Sequence, residues 1–115
     1  MIIKEWYKNV LASPERIAMP IMTHPGIELI GASVLEVVTD GGTHFNAINA
    51  LHKNSPSAAV TTAMDLTVEA EAFGCKINFE TDSIPAVTER LIHNIDKVDE
   101  LSVPEVTSSE RLGNT

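Results

Sequence analysis

Apolar positions open the chain at helical spacing. Ile3, Trp6, Tyr7, Val10 and Leu11 fall at i, i+3, i+4, i+7 and i+8, which predicts an amphipathic helix over residues 2–11. Ser13-Pro14-Glu15 reads as a fresh start, and the short apolar run 18–22 beside Pro20 reads as a first strand, ended at Thr23-His24-Pro25-Gly26. Residues 27–38 are largely apolar and predict helix in two pieces around Gly31. Asp40-Gly41-Gly42 is a turn, and Thr43 is placed to cap a helix over 44–53. The segment 58–64, uncharged and partly β-branched, is the best strand candidate, of the kind buried on both faces in a parallel sheet. A short helix over 66–73 follows, with Gly74 at its C′ position, then a strand over 76–79. Val87, Leu91, Ile95, Val98 and Leu101 predict a last helix across 85–101, and the polar residues 105–115 a loose tail.

Strands alternating with helices place the chain in the α/β class. Two or three strands make a small parallel sheet with an exposed edge, which invites association with another copy. The pattern therefore reads as the opening segment of a larger α/β structure that forms a homo-oligomer if it stands alone.

Composition narrows the function. The 115 residues amount to one domain at most, and 43% apolar content supports a core. A net charge of −8 repels nucleic acid. No apolar run approaches the roughly 18 residues of a membrane span, and the start lacks a signal-peptide pattern, so the expectation is a cytoplasmic protein with no membrane partner. The one cysteine, Cys75, reads as a small residue entering a strand, with a reactive thiol as the alternative.

Among candidate chemical groups Asp65 stands out. It follows a predicted strand and precedes a predicted helix, where α/β folds bind ligands. The same position suits a helix cap, and a carboxylate has an oxygen for each task. His24 lies in a predicted strand-to-loop turn and reads either as a ligand-facing residue or as a turn histidine. His44, His52 and His93 fall in helical patterns without a two-histidine metal spacing. Glu69 complements the dipole of a first helical turn, and Glu71, two positions on, points elsewhere.

At Pro20-Ile21-Met22-Thr23-His24-Pro25-Gly26 and at Met64-Asp65-Leu66-Thr67-Val68-Glu69-Ala70-Glu71-Ala72-Phe73-Gly74-Cys75 the sequence resembles the uroporphyrinogen decarboxylase superfamily. The second run is more similar to the branch of corrinoid-linked methyltransferases than to the decarboxylases. The resemblance implies a (β/α)₈ barrel, which takes roughly 250 residues, so residues 1–115 would be its N-terminal third: a leading helix over 1–12 and a loose tail over 105–115.

By that resemblance Asp65 matches the central aspartate that accepts hydrogen bonds from the pyrrole N–H groups of a tetrapyrrole, a role suited to an acceptor-only carboxylate. His24, Thr23 and Met22 would line the substrate-binding mouth. Where the decarboxylases carry Arg, Gln and Arg for the substrate carboxylates, this chain has Thr23, His24 and Ile27, which argues against decarboxylation. The thiol-methylating relatives bind zinc through a His-x-Cys pair and a distant Cys. No such pair occurs here, so the expectation is no metal or resident cofactor within the chain, and zinc only through residues outside it. The function implied is methyl transfer between a methylcobamide, carried by a corrinoid protein, and a thiol or similar acceptor. The alternative is a truncated, inactive, self-associating chain.

Overall fold

A computed structural model describes residues 2–62 and 65–113. Six α-helices, two short strands and two 3-10 segments follow one another: α1 (Ile3–Ala12), α2 (His24–Ile30), α3 (Val34–Thr39), α4 (Gly41–Asn54), α5 (Val68–Ala72), β1 (Ile77–Asn78), β2 (Ala86–Val87), 3-10 helices over Ile95–Glu100 and Val106–Ser108, and α6 (Glu110–Gly113).

The centre of the molecule is a helix trio. Thr23–Gly26 does not break the chain as the sequence predicts; it winds the first turn of α2, where Pro25 is tolerated because its missing N–H has no partner there. Gly31, at φ 66, stops α2 in the left-handed conformation that glycine adopts without strain. Ser33 and Glu36 then form a reciprocal capping box for α3: the Glu36 N–H donates to Ser33 Oγ at 3.2 Å and the Ser33 N–H donates to Glu36 Oε2 at 2.8 Å. The predicted division around Gly31 is therefore correct. The cap of α4 is Asp40 rather than Thr43, with the Thr43 N–H donating to its carboxylate at 2.6 Å. The helix begins accordingly earlier than expected, at Gly41.

α2 and α3 both pack on α4, burying Ile27, Val34, Val37 and Ala47, with Ala32 and Val38 against them. Gly26 is what lets α2 lie close: a Cβ there would stand 2.8 Å from the Ala47 carbonyl carbon and 3.2 Å from Leu51 Cβ. α1 attaches through its indole, since Trp6 Nε1 donates to the Ala58 carbonyl at 3.2 Å.

Several predicted elements do not form. The run 18–22 has no strand structure, nor do residues 58–62; Ala63 and Met64 lie outside the described residues. Among the described residues the two runs share one backbone bond, from the Ala58 N–H to the Ala18 carbonyl at 3.3 Å. A strand exists only through a partner ladder, and neither run has one. The sheet is β1 against β2, antiparallel, with Ile77 opposite Val87 and Asn78 opposite Ala86. Among the described residues the chain is mainly helical with one minimal antiparallel hairpin, and no parallel pair of the expected α/β arrangement is formed.

The helix expected over 85–101 is also absent. Pro85 is buried and Ala86–Val87 pairs with β1, which draws the start of this stretch into the hairpin. Ile95 is 80% exposed and Leu91, Val98 and Leu101 are exposed too, so the apolar stripe has no surface to pack on. A helix depends mainly on such packing, and here only a 3-10 segment capped by Asn94 remains. The radius of gyration is 17.7 Å, against about 13 Å for a compact chain of this length. No helix among the described residues is long and apolar enough to cross a membrane.

Candidate functional site

Asp65 lies just before α5, and α5 faces the last turn of the chain. Its carboxylate is divided between two tasks. Oδ1 accepts from the Thr67 N–H at 2.9 Å and from the Thr67 hydroxyl at 2.7 Å, which turns the backbone into α5. Oδ2 accepts from Arg111 Nη2 in an ion pair whose side chains are 8% and 7% exposed. The helix-entry role and a buried ion pair therefore coexist on one side chain.

Arg111 belongs to α6, in the stretch expected to be a loose tail. That expectation is overturned: Arg111 is among the most enclosed polar residues of the chain. Its Nε donates to the Val38 carbonyl at 3.2 Å, Nη1 to Glu71 Oε2 at 2.6 Å, and Nη2 also to Thr67 Oγ1 at 3.3 Å. The guanidinium carbon lies 4.8 Å from the centre of the Phe79 ring. A planar fork with five N–H donors is thus met by four oxygen acceptors and by an aromatic ring over its face. Glu71 turns toward this site while Glu69 stays exposed in the first turn, as the two-residue offset on a helix requires.

A cavity of about 50 Å³ opens on the other side of Asp65, bordered by Thr23, His24, Val38 and Pro85 among others. Three of the four residues selected from the sequence therefore meet at one place: Asp65, His24 and Thr23. Thr23 is buried as the N-cap of α2 and His24 is the exposed first residue of that helix. Met22 is not part of this group; it lines a separate cleft with Pro20, Leu51 and His52. The cavity has room for a few water molecules at most, whereas ligand pockets for drug-sized molecules run to roughly 300–1,000 Å³. No group of three His, Cys, Asp or Glu side chains able to hold a metal ion occurs among the described residues, so these residues do not fit a zinc site. Cys75 is half-buried after α5, its N–H donating to the Ala70 carbonyl at 2.9 Å.

Arg111 was not legible from its local sequence, because a lone arginine in a polar stretch ordinarily faces solvent. The signal that could have found it is the charge balance. With 16 acidic against 8 basic residues, an enclosed carboxylate such as Asp65 must recruit one of few cations.

The sequence model of the uroporphyrinogen decarboxylase (URO-D) family matches residues 4–114. No curated protein matches the chain, and no solved structure matches it.

Proposed function

The chain belongs to the uroporphyrinogen decarboxylase family, and from that premise we propose that it is a relative on the corrinoid-linked methyltransferase side, moving a methyl group between a methylcobamide and a thiol or similar acceptor in the cytoplasm. The observation that carries this reading is the meeting of Asp65, His24 and Thr23 around one cavity. Asp65 supplies a hydrogen-bond acceptor, which on a corrin, whose ring nitrogens are all held by cobalt, serves the peripheral amide N–H groups, and His24 a second polar group at the rim. The residues at 23, 24 and 27 are Thr, His and Ile, so no guanidinium is there to pair with substrate carboxylates, which favours methyl transfer over decarboxylation. The corrinoid is substrate here, brought by a partner protein, and its ring lies across the outer face of the site, since the cavity admits nothing of its size. Zinc, which would hold the acceptor thiol as thiolate, has to come with residues other than these. A barrel completed by further strands belongs to the same reading.

The test is methyl transfer from methylcobalamin to a small thiol, read as the thioether product. Transfer by the protein and its loss in Asp65→Ala are expected, with Asp82→Ala as the exposed control. No transfer, or transfer untouched by Asp65→Ala, overturns the reading.

A second reading, an inactive chain that self-associates, is favoured by a specific surface. Ile3, Tyr7 and Leu11 form a stripe along α1 that is 76%, 58% and 67% exposed. It predicts elution well above 12.4 kDa in size-exclusion chromatography and a return to monomer in Tyr7→Lys.

A further inference from the structure

The contacts of Arg111 describe a complete receptor for a planar, N–H-rich group. Asp65 Oδ2, Glu71 Oε2, Thr67 Oγ1 and the Val38 carbonyl accept from its N–H groups, and the Phe79 ring covers a face. The occupant is the chain's own side chain, delivered by a short last turn. Val103 is 88% and Val106 60% exposed on the approach, and beyond its neighbouring 3-10 turn the main packing of α6 is against α5. Asp65 and Val38 border both Arg111 and the adjoining cavity, so the two spaces are neighbours across these residues.

We propose that the turn carrying Arg111 is an internal plug. Its guanidinium fills the acceptor site that a ligand presenting clustered N–H donors occupies once the turn swings away. The proposal rests on the reading of Asp65 as the ligand-facing carboxylate and adds to it a closed state and the step that opens it. With Arg111 seated, both oxygens of Asp65 are engaged, and with Arg111 gone Oδ2 and Glu71 Oε2 lose their guanidinium donors. Oδ1 keeps its bonds to Thr67, so α5 stays anchored in either state.

The experiment compares the full chain with Arg111→Ala and Arg111→Lys, the latter keeping the charge without the fork. The probes are a free-base porphyrin, its zinc complex, which has lost the inner N–H groups, and methylguanidinium. The plug requires both variants to bind the free-base porphyrin at least ten-fold more tightly than the unaltered protein. The zinc complex gains nothing, and Asp65→Asn added to Arg111→Ala abolishes the gain. It also requires methylguanidinium to raise the melting temperature of Arg111→Ala and to leave that of the unaltered protein unchanged. Equal, Asp65-dependent porphyrin binding in all three proteins removes the plug and leaves the ligand-facing role of Asp65 standing. Stabilisation by methylguanidinium without porphyrin binding keeps the plug and removes the tetrapyrrole reading. Failure of both probes removes the plug. Hydrogen exchange on the unaltered chain needs no variant: the amide of Gly113, bonded to the Ser109 carbonyl within the turn, should exchange at least ten-fold faster than those inside α4, and exchange as slow as that of α4 overturns the proposal.

Discussion

Arg111 and Asp65 stand 46 positions apart and form a buried ion pair that joins the last turn of the chain to the entry of α5. Charges taken out of water are costly, and this pair persists because Glu71, Thr67 and the Val38 carbonyl take three more of the fork's five donors. Among the described residues no buried side-chain polar atom lacks a partner. Arg111→Ala should lower stability by about 2 kcal/mol, the scale of hydrogen bonds to a charged group. The larger loss expected of a sealed charge is avoided because the vacated space lets water reach Asp65. Urea denaturation checks this, and Asp65→Asn should weaken the effect of Arg111→Ala in a double-mutant cycle.

Gly26 sets how closely α2 meets α4. A methyl group there collides with the Ala47 backbone, which cannot rotate away as a flexible side chain would. Gly26→Ala is expected to cost about 1–3 kcal/mol, the range of overpacked sites. It should also loosen the wall of the cavity that Ile27 and Val37 share with Asp65. A thermal melt with near-ultraviolet circular dichroism reads both effects.

The two helix caps make the protein acid-sensitive. Glu36 is held below its ordinary 4.5 by the hydrogen bonds from the Ser33 backbone and hydroxyl. Asp40 is held below its ordinary 3.8 by those from the Thr43 hydroxyl and backbone. The folded state releases these protons more readily than the unfolded chain, so the caps contribute fully above the ordinary values and fade as pH falls through the lowered ones. Ser33→Ala should lower the denaturant midpoint at pH 7, and by less in acid, where only the bond from the Glu36 N–H to Ser33 Oγ remains to be lost. Denaturant midpoints across that range test the trend.

His44 acts in the same direction at higher pH. Partial burial on α4 lowers its proton affinity from the ordinary 6.5. Between that value and the lower folded one, unfolding takes up a proton, so stability falls as pH drops below about 6.5 and levels off once both states are charged. His44→Gln should flatten the stability profile between pH 7 and 5; an unchanged slope would assign it to another group.

Much of the helical part was legible because its signals are local. The stripe of α1, the interruption at Gly31, the end of α5 at Gly74 and the strand around Ile77 each depend on residues within a turn or two. The misreadings share one cause. Residues 18–22 and 58–62 have strand composition, and the 85–101 stretch has helical periodicity, but an element is realised only where a partner ladder or an apolar surface receives it.

The site divides along the same line. The sequence by itself determined that Asp65 follows an uncharged apolar run and leads into a helix, and that Thr23 and His24 are candidates to stand near it. Only the tertiary structure decided that these three share a cavity, that Met22 faces another, and that Arg111 closes the carboxylate. The physical reason is range. A cap or a glycine stop is a contest among neighbouring backbone groups, whereas a buried carboxylate takes whichever cation the folded chain brings to it. Here that cation lies 46 positions further along the sequence, in a stretch whose composition carries no mark of it.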